Sequence, residues 1–282
     1  FSPYRFLDIY VRGSAGEVWS LGLAPALLWS YYSYYEFKRK KFLVLSSVFL
    51  ALLVLAHNIL ALVFFVFFIL YTSYLILNTK EKKALITDTL LIGISGLGLS
   101  SPFWLPAILE TKFVVGLQVF DPTQHFPILY KLIYSSWGYG FSGANTSDQM
   151  SFQIGIANLI AVASSVLAFF FLKNKKTLVF FIGLFVLTVF FITPFSVILW
   201  EIIPFMAYIQ FPWRLLSLVI LVASFLAGSI VQDSLFKKKG KIQTVVALFL
   251  ILLSIGLSIR YAKAPFYHKR GDQHYLTRSN FT

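Results

Sequence analysis

Two acidic and two basic residues stand close together near the start of this chain. Asp8 and Glu17 are interleaved with Arg5 and Arg12, in a polar and aromatic segment that leads into a long apolar run. Unpaired charges are costly at a lipid boundary, so these side chains are expected to find partners there. Two interpretations follow: a structural ion-pair cluster, or a lining for the head group of a polar substrate.

Other polar and aromatic residues stand at the ends of further apolar runs. His57 and Asn58 are interpreted either as the cap of a helix hairpin or as site residues. Trp137 fits an interfacial aromatic belt, and Arg214 fits a side chain that reaches lipid head groups. Because isolated polar residues at span ends are best stabilised by one another, we predict that six side chains converge on one cavity. They are Arg5, Asp8, Arg12, His57, Trp137 and Arg214.

Composition identifies the class of protein that positions these residues. The chain is 58% hydrophobic, its mean hydropathy is +0.78, and 12% of its residues are charged. A soluble domain would carry about a quarter charged residues. The apolar runs are also too long and too uniform for amphipathic surface helices. The sequence therefore predicts an all-α membrane protein, a polytopic helical bundle.

About 20 apolar residues cross a hydrocarbon core of roughly 30 Å, which predicts about eight transmembrane helices here. Their predicted ranges are 17–35, 42–56, 59–77, 85–109, 152–172, 177–199, 213–231 and 244–260. A single helix over 42–77 would be about 54 Å long, so we divide that run into a hairpin that turns at His57-Asn58. Pro102 and Pro106 are expected to kink the fourth span.

Basic residues predict the orientation. The groups 38–41, 80–83, 173–176 and 237–241 hold 14 of the 24 Lys and Arg residues, and the eight-span topology puts all four on one side. The positive-inside rule makes that side cytoplasmic and both ends of the chain external. Membrane lipid is a sufficient partner for this charge. Nucleic acid is excluded, because the charge is divided among short loops.

The remaining features limit the domain organisation and the chemistry that the chain can have. The chain begins with Phe1, and its first residues lack the charged region and apolar stretch of a signal peptide. We interpret the chain as an internal fragment whose N-terminal spans are missing. Residues 1–260 would be the transmembrane domain, and 261–282 the start of a non-cytoplasmic tail or domain. The segment 126–137 is predicted to be an interfacial helix. There is no cysteine and no common catalytic motif. Cofactors are unknown: a divalent metal stays open, with no recognisable ligand set.

Several stretches together resemble a known family. They are residues 3–13 with Glu17, then 56–58, 135–140, 150–155 and 211–214. They resemble prokaryotic multi-pass proteins carrying the membrane domain labelled "6-pyruvoyl-tetrahydropterin synthase-related", which is similar to the GT-C superfamily of membrane glycosyltransferases. Pterin synthases themselves are soluble zinc enzymes with clustered histidines, and nothing in this chain matches that pattern.

The resemblance implies a GT-C-like fold in a prokaryotic plasma membrane. It also implies an enzyme that takes a sugar from a polyprenyl-phosphate donor on the non-cytoplasmic face. Arg5, Arg12 and Arg214 would then hold the phosphate, while Trp137 and Tyr139 would stack on the sugar. The acidic catalytic residue of such enzymes usually follows the first span, so the catalytic residue here is unknown, with Asp8 and Glu17 as weak candidates.

Two other functions stay open. One is a transporter or flippase for a polyprenyl-linked or other polar lipid, although no internal repeat is found and the span interiors carry almost no charge. The other is a non-catalytic membrane scaffold for an external domain. An acidic pair in an external loop ahead of Phe1 would favour the enzyme.

Overall fold

The computed structural model describes residues 1–113, 121–140, 142, 150–172, 175–231 and 240–266, and its regular structure within these ranges is helical. The α-helices are α1 (Pro3–Tyr10), α2 (Ala15–Phe37), α3 (Lys40–Ala56), α4 (Asn58–Asn78), α5 (Lys82–Leu99), α6 (Ser101–Leu109), α7 (Ile156–Ala168), α8 (Lys176–Ile192), α9 (Val197–Ile202), α10 (Leu216–Ser229) and α11 (Gly240–Ser258). Short 3₁₀ turns connect several of them.

Helices α2 and α3 form an antiparallel pair. Lys38 adopts a left-handed conformation (φ 54°) between them, and Ser46 Oγ donates to Ser30 Oγ at 3.0 Å across the pair. At the other end, Gly16 approaches Ala56 so closely that a Cβ on the glycine would clash with the Ala56 carbonyl oxygen. The two helices therefore pack against each other along their length.

The predicted break at His57-Asn58 is confirmed. α3 ends at Ala56, α4 begins at Asn58, and His57 between them has extended backbone (φ −163°). The turn reverses the chain, because α4 runs parallel to α2: His57 lies beside Glu17 at 3.5 Å, and the Phe68 ring lies 5.1 Å from the Tyr31 ring. The apolar run 42–77 is a hairpin.

In the part of the chain that the structure describes, three helices are each long and apolar enough to cross a membrane, or up to five spans if each bent pair counts as one. The three are Asn58–Asn78, Pro212–Ser229 and Gly240–Tyr261. The bent pairs are α5 with α6, at 72°, and α8 with the segment Pro194–Ile202, at 85°. The bend in front of Pro102 confirms the predicted kink, whereas eight spans remain a prediction.

Basic groups gather at one end of the bundle. Lys38 Nζ pairs with Glu81 at 2.9 Å, and Lys176 Nζ donates to Asn78 Oδ1 at 3.3 Å, so the first three lysine groups meet. α11 begins at the same end, because Gln243 Nε2 donates to the carbonyl of Val231, just after α10. Residues 173, 174 and 237–239 of these groups, and 267–282 of the predicted tail, lie outside the described residues.

The prediction of an interfacial helix over 126–137 is wrong. This segment contains a 3₁₀ turn, Leu129–Leu132, between extended residues. Its backbone is used by the segment 150–155 instead: the Leu132 carbonyl accepts from the Ile154 N–H at 2.9 Å, and the Ser135 carbonyl accepts from Gln153 Nε2 at 2.8 Å. These tertiary hydrogen bonds replace the i→i+4 bonds of a helix, and Pro127 disfavours a helical residue before it.

Candidate functional site

The polar site is built around the junction between α1 and α2, at the end of the bundle opposite the lysines. Asp8 lies in the last turn of α1, and Arg12 follows that helix by two residues, with its N–H donating to the Leu7 carbonyl at 2.9 Å. Gly13 turns the chain with a positive φ of 62°, which favours glycine, and Glu17 follows in the first turn of α2. The turn thus brings both carboxylates to one arginine.

Arg12 holds both acidic residues. Its Nη1 contacts Asp8 Oδ1 at 2.5 Å and also Glu17 Oε2, while its Nη2 donates to Glu17 Oε1 at 2.6 Å. The guanidinium also lies over the Trp213 ring, 4.5 Å from its centroid. Both carboxylates have no exposed side-chain surface. Charge-assisted, two-pronged contacts of this kind fix the geometry of a buried carboxylate.

Glu17 is the centre of the cluster. Tyr4 OH donates to its Oε2 at 3.2 Å. Its Oε1 lies 3.5 Å from His57 Nε2 and 3.4 Å from Arg214 Nε. One carboxylate therefore ties together α1, the α3–α4 turn and the segment before α10.

His57 joins this cluster to the start of α4. Its Nδ1 accepts a hydrogen bond from the Leu60 N–H at 3.2 Å, so the ring caps the N-terminus of the helix. Because Nδ1 is an acceptor, a neutral ring carries its proton on Nε2, toward Glu17. Burial lowers the pKa of His57, and Arg214 and Arg12 lower it further, while Glu17 acts in the opposite direction.

Arg214 is held from within the protein. Its Nη1 donates to the Ile209 carbonyl at 3.0 Å and to Gln210 Oε1 at 2.7 Å, and its side chain is 9% exposed. Gln210 has a positive φ of 67°, which turns the chain into the segment 211–214. The interpretation of Arg214 as a lipid-facing, snorkelling residue does not hold.

The aromatic residues beside the cluster come from two of the stretches that carried the family resemblance. Trp213 stacks on Phe211 at 5.1 Å and 14°, and Phe152 lies 6.2 Å from Trp213. Gly155, with φ 98°, has Pro3 packed against it, so a Cβ there would lie 2.6 Å from Pro3 Cδ. The segment 150–155 thus fixes α1 in place next to the site.

The cluster also holds buried atoms without a hydrogen bond, although one of them, Arg214 Nε, lies within ion-pair distance of Glu17. Within the described residues, three buried side-chain atoms have no hydrogen-bond partner, and all belong to it: Asp8 Oδ2, Trp213 Nε1 and Arg214 Nε. Burial, followed by the nearby charge of Glu17, raises the pKa of Asp8 well above its usual range despite the contact with Arg12. The two carboxyl groups therefore differ. Glu17 is surrounded by more hydrogen-bond and ion-pair donors, whereas Asp8 tends toward the protonated form.

Arg5 does not join the cluster. Its side chain is exposed, and no carboxylate lies within ion-pair distance of it in the described part of the chain. Together with Phe1 and Ser2 it lines a partly open cavity of about 1190 Å³. The predicted convergence on one cavity therefore fails for Arg5, which serves a neighbouring space.

That cavity runs between α2, α4, α8 and α10. Arg5, Ser2 and Asn158 line it toward the polar cluster, and Asn78 and Lys176 line it toward the lysine end. Aromatic and aliphatic side chains line the length between: Leu21, Pro25, Leu28, Trp29, Tyr71, Leu75, Phe181, Ile220, Leu221, Phe225 and Leu226. Such a lining suits a long apolar chain with a polar group at its end.

The other predicted site residues lie apart from the ion cluster. Trp137 Nε1 donates to the Lys263 carbonyl at 3.0 Å and its ring packs on Tyr261 at 5.1 Å. Tyr139 OH donates to the Phe266 carbonyl at 3.2 Å. Asn58 is exposed, and its Oδ1 accepts from the Ile59 N–H at 2.8 Å. The link to the cluster is indirect: Tyr261 OH donates to Gln153, next to Phe152.

Sequence reasoning missed three members of the cluster, Tyr4, Gln210 and Trp213. Tyr4 and Trp213 stand within the stretches that carried the resemblance, but neither was named as a site residue. Sequence spacing does not indicate that these residues meet Glu17. Tyr4 is 13 residues away from it in the chain, and Gln210 and Trp213 are about 200 residues away. The described residues contain no group of three or more His, Asp or Glu side chains placed to hold a metal ion.

Comparisons with known proteins agree with this architecture. A family model described as "6-pyruvoyl-tetrahydropterin synthase related domain; membrane protein" matches residues 4–263, so the chain belongs to that family of membrane proteins. No curated protein and no solved structure matches the chain.

Proposed function

We propose that this member of the 6-pyruvoyl-tetrahydropterin synthase related membrane family is a GT-C-like glycosyltransferase. It would take a sugar from a polyprenyl-phosphate carrier on the non-cytoplasmic face of the membrane. The observation that carries the proposal is the cavity of about 1190 Å³, with an exposed arginine at the end near the polar cluster and apolar walls along its length. A polyprenyl phosphate has the matching shape and charge.

Arg5 is assigned to the phosphate of the donor. A phosphate needs a cationic partner that is accessible and not already neutralised, and Arg5 meets both conditions. Arg12 and Arg214 are assigned to a supporting role, because each already contacts Glu17 and internal acceptors. They hold α1 and the segment before α10 around the phosphate end of the cavity.

Trp137 and Tyr139 are assigned to the sugar. Their rings lie with the chain that follows α11, whose turn Ile259–Tyr261 also contacts α1. Asp8 and Glu17 position the arginines in this proposal, since neither has exposed side-chain surface from which to reach an acceptor hydroxyl. The general base of the reaction stays unassigned.

Donor binding tests this assignment directly. Purified full-length protein in detergent is titrated with a polyprenyl-phosphate sugar, and Arg5→Ala is compared with Lys112→Ala, an exposed cation away from the cavity. A lost charge-assisted contact weakens affinity by about tenfold or more. We expect that loss for Arg5→Ala alone. Equal affinity of the two variants would remove Arg5 from the site, and no binding to wild type would favour the scaffold function.

A flippase is the second candidate, because the same cavity extends to Asn78 and Lys176 at the lysine end. A carrier lipid could use polar contacts at both ends of such a path. The two functions separate in one reconstituted system: sugar transfer to an acceptor without movement of the lipid between leaflets supports the transferase. Movement of the lipid without transfer supports the flippase.

A further inference from the structure

A polar ridge stands at the lysine end of the bundle, where α4 meets the start of α8. Tyr74 OH and Thr177 Oγ1 share a hydrogen bond of 2.8 Å, and Lys176 Nζ donates to Asn78 Oδ1 at 3.3 Å. The Tyr74 ring stacks on Phe180 at 4.7 Å and 23°. These contacts join residues about 100 positions apart in the chain, so the ridge is formed by tertiary packing and not by a local turn.

An apolar space lies on each side of this ridge. One is the cavity described above, and the other is a crevice of about 500 Å³. Tyr74, Asn78 and Lys176 line both of them, and so form the wall that they share. On the crevice side the wall continues with Phe169, Val179 and Phe180.

Two lysines stand at the ridge. Lys175 lines the crevice beside Lys176, and its Nζ lies 4.3 Å from the centroid of the Phe169 ring. Cationic and hydroxyl donors therefore meet at the crest between two apolar spaces.

We propose that this ridge binds the phosphate of an anionic phospholipid with two acyl chains, one chain lying in the cavity and the other in the crevice. Lys176, with Lys175 and Thr177 beside it, contacts the phosphate, and Tyr74 and Asn78 separate the chains. A single-chain carrier has no use for the second space, so this ligand differs from the donor lipid. The phosphate contacts do not include Arg5 or the residues assigned to the sugar, but the acyl chain in the cavity and the tail of the donor would occupy the same space in turn.

Native mass spectrometry of the detergent-solubilised full-length protein measures this binding. The probes are dioleoyl phosphatidylglycerol, its one-chain lyso form, dioleoyl phosphatidylcholine and inorganic phosphate. We expect the two-chain anionic lipid to bind most tightly. Lys176→Ala is expected to weaken it by about tenfold, the usual effect of removing a charge-assisted phosphate contact.

Two variants control for general charge and for chain occupancy. Lys41→Ala removes an exposed lysine at the same end that lines neither space, and should leave binding unchanged. Val179→Trp fills the crevice from an exposed position, and should abolish the preference for two chains over one while leaving the lyso form bound.

Several outcomes would overturn the proposal. Equal losses in Lys41→Ala and Lys176→Ala would mean that lipid is attracted only by the overall charge of this end. Equal binding of the one-chain and two-chain lipids by wild type would leave the crevice without a role. Displacement of the lipid by inorganic phosphate would identify a site for the free anion. Donor binding at Arg5 is measured separately, so either proposal can fail alone.

Discussion

Gly16 and Ala56 form the closest approach between α2 and the α3–α4 turn, because a Cβ on Gly16 would clash with the carbonyl oxygen of Ala56. The same Cβ would lie 3.3 Å from His57 Cδ2. This contact is what allows Glu17, one residue later, to reach His57. A close backbone approach of this kind requires glycine.

Gly16→Ala should therefore destabilise the protein, by about 1–3 kcal/mol as for other overpacked sites. The measurement is thermal unfolding in detergent, followed by tryptophan fluorescence. Gly22→Ala is the matched control in the same helix, because a Cβ there meets nothing within 4 Å. It should unfold at the wild-type temperature or slightly above, since alanine is the better helix former. Equal behaviour of the two variants would contradict the close approach.

The two buried carboxyl groups should respond differently to amide substitution. Glu17→Gln leaves Arg12 and Arg214 without their shared counter-ion, and breaking a buried ion pair typically costs about 3–5 kcal/mol. Asp8→Asn should cost less, because one oxygen of Asp8 has no partner and its pKa is raised by burial. Thermal unfolding at pH 7 ranks them. A larger loss in Asp8→Asn would mean that Asp8 is the principal counter-ion.

The raised pKa of Asp8 also predicts that the stability of the protein depends on pH. Its folded pKa lies above the ordinary 3.8, so its contribution to stability is complete below that value and is lost as the pH rises through the raised pKa. Asparagine cannot ionise, so the stability of Asp8→Asn relative to wild type should improve as the pH rises. A constant difference between the two proteins across the same pH series would show that Asp8 does not titrate in the folded protein.

The lowered pKa of His57 predicts the opposite dependence of stability on pH. Its folded pKa is lowered from 6.5, so the unfolded chain binds the proton first and stability falls as the pH drops below about 6.5, through the lowered pKa. His57→Asn keeps an N-cap without a titrating ring and should resist acid better than wild type. His57→Ala should lose about 1 kcal/mol at pH 7 as well, because the cap is removed.

The length of the cavity gives a further prediction. Gly228 lines it toward the lysine end, and a Cβ there meets open space. Gly228→Trp should therefore block the far end and weaken binding of long polyprenyl phosphates, but not of short ones that reach only from Arg5. Gly183→Trp is the control, a helical glycine with the same freedom outside the lining. If both variants bind long and short donors like wild type, the cavity does not hold the tail.

Sidedness can be measured because the chain has no cysteine. Single cysteines at Lys41 and Lys112, both exposed, report the two ends of the bundle. In intact cells an impermeant thiol reagent should label Lys112→Cys and spare Lys41→Cys, as expected from the basic loops. The reverse pattern would invert the topology, while leaving the fold unchanged.

The parts of the fold that follow from lengths and charges were predictable. The run 42–77 is too long for one crossing, which predicts the break at His57. The mixed charges of Asp8, Arg12 and Glu17 at a lipid boundary predict an ion-pair cluster as one of two interpretations. The cavity was not predictable, because its lining comes from helices more than 200 residues apart in the chain. The same holds for Arg214, whose main acceptor, the Ile209 carbonyl, depends on the conformation of a turn.

Arg12 Nη1 contacts both carboxylates, its Nη2 donates to Glu17, and its guanidinium lies over the Trp213 ring. An anion that takes the place of Glu17 on these nitrogens leaves that carboxylate without its contact to Arg12 in a buried setting. Such a carboxylate is neutralised by taking up a proton. Exchange of Glu17 for another anion would therefore be coupled to proton uptake by Glu17, and the affinity for that anion would rise as the pH falls.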